Sequence, residues 1–444
     1  MKKNSWRWRD GEAAPRTFAA LFGALLGLAL LKFGNPIILE KFVTPPTNFY
    51  DWMISPWSLA IGYWLLVPVA IIGFFIARWK INAPKWLLAL PAIWLGWQFV
   101  SATATVDASL TRTVLVHFTT CVVCFYLGYF SLNRLKEHRP FWLGVLGAFI
   151  VVLAVGLRQH FGGLAESREY FLTYIYPQLK NVAPDFQKKM ASDRIFSTLF
   201  YPNNLAGILL LLLPTTLVIF WKNEDWPTAV RRTIVGITGV AALGCLFWSG
   251  SKGGWLLMLV LGLIALLQLP FQKKIKFALL AAMLILGLAG FVLKYSAYFE
   301  KGATSVGARF DYWRAAVETV EANPVLGSGP GTFGIVYAKI KRPESEMSRM
   351  THNDYLEQAS DSGLPGFVVY FSFFGWALIW SWRKLAANPN PRLFAVWLGL
   401  LGWSLQELFE FGLYIPATAW IAFALLGWLL NRVGNEFDKK IPAR

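Results

Sequence analysis

Charge is scarce in this chain: Asp, Glu, Lys and Arg together make up 15% of its 444 residues, well below the roughly 25% of a soluble globular domain. Cysteine is scarcer still, with three in all, and histidine contributes four. Cys121, Cys124 and Cys245 each fall inside an apolar block. The Cys-Val-Val-Cys run therefore reads as membrane-embedded thiols and not as a redox pair or half of a zinc site. In place of charge the chain carries 56% hydrophobic residues, 35 Phe and 22 Trp, with a mean hydropathy of +0.47. That mix excludes an ordinary soluble enzyme. The apolar residues come in blocks of about 20, each long enough to cross a 30 Å hydrocarbon core as a helix. Only a helix or a closed barrel satisfies its backbone polar groups in that core. The expected fold is an all-α polytopic membrane protein.

Apolar windows between charge clusters place twelve spans near 17–34, 57–77, 86–104, 111–132, 141–160, 202–221, 233–249, 254–271, 277–294, 364–382, 393–411 and 414–430. Pro270 with Lys273, Lys274 and Lys276 divides the eighth from the ninth. Only Phe411-Gly412-Leu413 parts the last two, so eleven or thirteen spans stay open as counts. The basic leader Met1–Arg16 with an apolar block behind it has the look of a signal peptide. No small-residue cleavage site follows Leu31, however, and the block reads as a retained first span. An even count puts both termini on one side, together with the basic connections at Arg134, Lys136 and Arg139 and at Lys222, Arg231 and Arg232. Segments on that side hold 24 Lys and Arg against 7 Asp and Glu, a net of 24 − 7 = +17, and everything else balances at 18 against 18. The whole net charge is thus topogenic, marks the cytoplasmic side, and gives no reason to invoke nucleic acid.

Two outward connections are long, at roughly 161–201 and 295–363, and loops of that length usually carry function. The first sets Tyr170, Phe171, Tyr174, Ile175 and Tyr176 before Lys180, Lys188, Lys189 and Arg194, a mixture suited to the headgroup region, with or without chemistry of its own. In the second, Val306–Ala322 has helical periodicity. Phe310, Trp313, Ala316, Val317 and Val320 share one face, Asp311, Arg314, Glu318 and Glu321 share the other, and Asn323-Pro324 ends the helix. Arg309 falls on the apolar face, so its cation either points into the protein or snorkels to the surface. The run Gly327-Ser328-Gly329-Pro330-Gly331 follows without a preceding strand or a Lys-Ser or Lys-Thr pair, which excludes a nucleotide loop and favours a tight reversal against a neighbouring helix or a ligand.

His352 stands just before the tenth span at the outer interface. Histidine can take a proton from a hydroxyl near neutral pH, which makes it a candidate general base, with a structural role as the alternative. Lys252 lies in Ser249-Gly250-Ser251-Lys252-Gly253-Gly254 at the outward turn before the eighth span, where helix N–H groups and a cation together can hold an anion. Arg194 stands ahead of Pro202, Asn203 and Asn204 at the start of the sixth. Three cations and one histidine at one membrane face suit a phosphate-bearing ligand and a hydroxyl acceptor.

As a set these motifs resemble the O-antigen ligase and polymerase superfamily. His352-Asn353, nine residues, Gly363, two residues and Gly366 match its His-Asn signature. Arg309 with Trp313 and the stretch from Asn323-Pro324 to Gly331 resemble the motifs of its long late loop, and Arg194 with Pro202-Asn203 resembles an earlier segment. The motifs cover roughly 190–370, and span count and loop placement extend the likeness to the whole chain. Lys252 stands where the family usually has arginine, which keeps the charge but loses the bidentate fork.

The resemblance implies a bacterial inner-membrane, multi-pass transferase with both termini cytoplasmic and a periplasmic active site. Its donor would be a glycan on undecaprenyl pyrophosphate and its acceptor lipid A-core, with no metal or other cofactor and with inversion at the sugar. His352 would be the catalytic base, Lys252, Arg309 and Arg194 would bind pyrophosphate, and Asn353, Tyr355 and Asn203 would support them. Glu407 and Glu410, at the end of the eleventh span, read as structural or as partners of the loop cations and the base. The expected organisation is spans 1–9 over 1–294, a periplasmic loop over 295–363, and the last spans and cytoplasmic tail over 364–444. A glycan polymerase, a protein O-oligosaccharyltransferase, a polysaccharide or lipid transporter and an inactive relative remain as alternatives. Against transport, no half repeats the other and intramembrane charges such as His117 are few.

Overall fold

The structure, a computed structural model, describes residues 13–43, 46, 48–135, 137–170, 173, 192–300 and 304–438. Among them the chain is built of helices and contains no strand. Leaving short turns unnumbered, the helices are α1 (Ala13–Lys32), α2 (Leu59–Ile76), α3 (Lys85–Ser101), α4 (Ala108–Tyr126), α5 (Arg139–Arg158), α6 (Pro202–Trp221) and α7 (Thr228–Ser249). The second half continues with α8 (Lys252–Gln268), α9 (Lys273–Glu300), α10 (Thr304–Ala322), α11 (Phe333–Ile340), α12 (Asp354–Ala387), α13 (Pro391–Gln406) and α14 (Pro416–Asp438). Among the described residues ten helices are long and apolar enough to cross a membrane. The expected eighth and eleventh spans are the two shorter ones, α8 with 17 residues and α13 with 16. This is a multi-pass, all-α membrane protein.

The core is centred on α14. Its apolar window is 94% buried, and it packs against α1, α4, α12 and α13. At Gly427 the absent side chain lets the helix touch the backbone of α4, since a Cβ there would sit 2.0 Å from the carbonyl oxygen of Phe125. At the other extreme α9 has none of its window buried. It is apolar on all sides, as a helix bathed in lipid must be. Deep on α4, His117 is held by two partners: Trp420 Nε1 donates to its Nδ1 at 3.2 Å, and its Nε2 meets the Leu413 carbonyl at 2.8 Å. The three cysteines are free and buried.

Side-chain contacts gather the basic connections at one end of the bundle. Arg139 pairs with Asp225 at 2.9 Å, Arg392 donates to Lys222 O at 3.3 Å, and Arg134 donates to Ile76 O at 2.9 Å. The alternation of spans read from charge is therefore internally consistent. Most of the segment with Tyr170, Phe171, Tyr174, Ile175, Tyr176, Lys180, Lys188 and Lys189, expected at the headgroups, lies outside the described residues.

Two expectations change. The eleventh span was expected to continue to residue 411, but α13 stops at Gln406. The Asp354 N–H donates to Glu407 O at 2.9 Å, and the Glu407 carboxylate turns forward to accept the Gly412 N–H. These bonds replace helical ones and release 407–415 as an ordered loop. The second change is a rotation of α10, whose buried stripe is Tyr312, Ala315, Ala316 and Thr319. Phe310 and Val317 are exposed instead. Small residues let α10 approach Phe333 and Tyr337 of α11 closely, and the bulky apolar ones are turned outward.

Candidate functional site

The loop released by the early end of α13 carries Glu410, whose side chain is 5% exposed. A carboxylate buried to that degree requires partners, and three segments distant in sequence supply them. Arg309 of α10 donates to its Oε1 at 2.6 Å, and Asn203 at the start of α6 donates to the same oxygen, also at 2.6 Å. Arg194 reaches the cluster through Asn203, donating to its Oδ1 at 2.6 Å and, by Nε, to Ser249 O at 2.6 Å. His352 Nδ1 faces Glu410 Oε2 at 3.6 Å, beyond hydrogen-bond length but within ion-pair distance once the ring takes a proton. Arg309 also holds the loop backbone, donating to Phe409 O at 3.2 Å.

Burial alone would raise the Glu410 carboxyl. The His352 side chain and the charges of Arg309, His352 and Arg194 outweigh it, and the group is held below the usual carboxylate range. His352 itself has φ +53°, a left-handed conformation costly for a residue with a Cβ and characteristic of functional positions. Its ring lies between Tyr312, 5.8 Å away, and Phe411, edge-on at 4.8 Å, with 27% of the side chain exposed. One ring edge therefore faces Glu410 while the residue stays reachable from outside.

Lys252 opens α8. Its Nζ sits 3.7 Å above the Tyr298 ring and 5.2 Å from that of Tyr295, and it feels the charges of Arg194 and Arg309. Next to it Gly253 lies against the Phe409 ring, which leaves a Cβ there no room. One of the free N–H groups expected at this helix start is already used, since Ser251 caps α8 by accepting from Gly254 N at 3.3 Å. The structure thus brings Lys252, Arg309, Arg194, Asn203 and His352 around one loop. Asn353 and Tyr355 serve the scaffold: Asn353 caps α12 by accepting from Leu356 N at 3.0 Å, and Tyr355 OH contacts Ser404 Oγ at 2.8 Å.

A second group of carboxylates lies deeper. Asp354, Glu357 and Asp361 on α12 and Glu407 beside it are all buried, and among the described residues none makes an ion pair. Backbone donors meet them instead. Asp354 accepts from Leu413 N at 2.7 Å and Glu357 accepts from Thr351 N. Asp361 accepts from Gly331 N at 2.6 Å, Phe333 N at 3.1 Å and Tyr414 OH at 2.9 Å. The glycine-rich run therefore does cradle an acidic group, but that group is the protein's own. Gly329 and Gly331 adopt φ +104° and +80° to deliver these contacts. Burial pushes Glu407, which lies in the loop, up to about 7.

Sequence reasoning ranked Glu410 below the cations because its expected place was the end of a span. A carboxylate 101 positions from the nearest candidate cation, Arg309, gives no pairing signal. Its isolation among apolar residues was the one available sign.

The fold and this cluster define a polytopic helical membrane protein with a cationic site at the end opposite its basic loops. Residues 237–371 match the family model for O-antigen ligase, which supports the resemblance to that superfamily and a membrane glycosyltransferase of ligase or polymerase type. The matched segment runs from α7 into α12 and contains Lys252, Arg309 and His352. The chain is also similar to a Haemophilus influenzae protein described as uncharacterized, with 30% identity over 178 residues. That similarity covers 35% of this chain and 43% of the relative.

Proposed function

We propose that the protein transfers a glycan from a polyprenyl pyrophosphate carrier, undecaprenyl pyrophosphate in a bacterial inner membrane, to an acceptor hydroxyl at the outer, periplasmic face. Ligation to lipid A-core is the leading acceptor reading. One observation carries it: Arg309 pairs with the buried carboxylate Glu410, Arg194 reaches it through Asn203, and Lys252 feels the charge of both arginines, leaving an excess of two positive charges beside a histidine. A sugar pyrophosphate diester carries two negative charges, so the excess matches it. The cations would stabilise the pyrophosphate as it leaves with the bonding electron pair. His352 would accept the acceptor hydroxyl proton on the ring nitrogen away from Glu410, and Glu410 would stabilise the resulting imidazolium. Attack opposite the leaving group inverts the anomeric centre. The protein cations supply the charge that a divalent ion supplies in other transferases, so no metal step is required.

A glycan polymerase or a protein O-oligosaccharyltransferase would use the same donor chemistry, and the acceptor distinguishes them. The test is reconstitution of the full chain with lipid-linked glycan and lipid A-core, comparing wild type with His352→Ala. Transfer by wild type and a fall of about 10²–10⁴-fold in the variant is the expected result. Equal activity in the variant would remove His352 from the mechanism. Chain elongation in place of ligation would reassign the acceptor.

A further inference from the structure

Away from the Glu410 cluster, the outward ends of α3 and α4 enclose an open groove of about 250 Å³ whose lining includes Phe99, Thr105, Thr111, Arg112, Leu115 and Val116. Most of its surface is apolar, and Phe99 and Val116 are exposed on its walls, as suits a slot open to lipid. Arg112 lies about 7 Å along α4 from its outward N-cap, Asp107. It is exposed and, among the described residues, makes no ion pair or hydrogen bond. A guanidinium at that depth beside an apolar slot is placed to take a lipid phosphate while the lipid's chain lies alongside.

The groove also touches the scaffold of the site. Thr111 Oγ1 donates to Pro330 O at 2.9 Å, Val106 N donates to Ser328 O at 3.0 Å, and Thr105 packs against Gly329. The glycine-rich loop so held is the one that grips Asp361 on α12, and α12 begins immediately after His352. The pyrophosphate cluster is built from the start of α6, the end of α7, α8, α9, α10 and the loop 407–415. Neither α3 nor α4 contributes a residue to it. One carrier with one pyrophosphate has no use for a second, separate cation beside its own slot.

We propose that the α3–α4 groove holds the lipid anchor of the acceptor, with a phosphate of that lipid on Arg112. This rests on the transferase reading above and adds that the acceptor's lipid approaches from a different face than the donor. Two lipids entering by separate faces would meet at His352 without exchanging places in one cleft.

The experiment uses the full-length protein in nanodiscs as wild type, Arg112→Gln and Val116→Trp, the last filling the slot without touching charge. Native mass spectrometry first measures retention of lipid A-core, phosphatidylglycerol and polyprenyl phosphate. Loss of lipid A-core alone in both variants supports the proposal whether or not transfer is observed. Equal loss of phosphatidylglycerol would identify an ordinary annular lipid site, and loss of the polyprenyl lipid would assign the groove to the donor; either overturns it. Where wild type transfers glycan, both variants should raise the acceptor KM about tenfold, the equivalent of one charged hydrogen bond. Donor KM and the use of a delipidated core acceptor should be unchanged. An unchanged acceptor KM would overturn the groove assignment while leaving the transferase reading in place, and an inert wild type with normal lipid retention would do the reverse.

Discussion

Two sets of acidic residues lie within one loop of each other and are held in opposite ways. Glu410 is surrounded by cations and stays ionised. Asp354, Glu357, Asp361 and Glu407 are met by backbone N–H groups and a tyrosine hydroxyl, with Glu407 pushed toward neutrality. A buried carboxylate answered by mobile side-chain charge can respond to a ligand that brings its own charge. One answered by backbone is locked into the fold. The first set is therefore where chemistry can occur and the second is what fixes the loops that present it.

The comparison breaks most visibly at Glu410. Glu410→Ala removes the common partner of Arg309, Asn203 and His352. It should lower transfer at least about a hundredfold and cost about 3–5 kcal/mol of stability through the uncompensated buried Arg309, read by turnover and thermal unfolding in detergent. Retained turnover would make the cluster structural. Asp361→Ala should cost about 3 kcal/mol by orphaning the Gly331 and Phe333 donors and the Tyr414 hydroxyl. Turnover per folded molecule should survive, and its loss would place Asp361 with the chemistry.

A smaller, pH-dependent effect sharpens the contrast. Folded Glu407 keeps its proton up to about 7, whereas its ordinary value is 4.5. The stability this confers is complete below 4.5 and is lost as pH rises through 7. Glu407→Gln should flatten the fall in melting temperature over that window, and an unchanged slope would exclude Glu407 as its source. Glu410 has the opposite sign: its lowered value gives stability that is present above 4.5 and lost only in stronger acid. The smallest effect is expected at Lys252→Arg, with transfer within about threefold of wild type or improved, because the charge is kept and a fork is gained. A large loss would mean that the lysine is fitted to Tyr295 and Tyr298 rather than to the donor.

Much of this was legible in the sequence. Hydropathy located the spans because lipid tolerates little else, and the basic connections that charge bias groups together do gather at one end of the bundle. The helix ending at Asn323-Pro324 followed from proline stereochemistry. The early end of α13 was not legible. Gln406-Glu407-Leu408-Phe409-Glu410 is apolar enough to continue a span, and only tertiary bonds from Asp354 and to Gly412 stop it. The face of α10 was misjudged for a related reason. Sequence periodicity ranks faces by hydrophobicity, whereas next to a membrane the bulkiest apolar side chains can turn outward and small ones pack within. The convergence of Arg194, Arg309 and His352 spans 158 positions of the chain from first to last, a distance over which periodicity carries no information.

The burial of α14 has a bearing on biogenesis. The helices it packs on, α1, α4, α6, α12 and α13, all precede it along the chain. A ribosome therefore releases these partners before the helix they pack on. Until Pro416 and the residues after it insert, the earlier helices have no axis to close on, and contacts such as Trp420 to His117 and Asn82 to Asn431 do not exist. A nascent chain lacking this segment is missing its keystone, and membrane quality control can judge the whole assembly by the arrival of one helix.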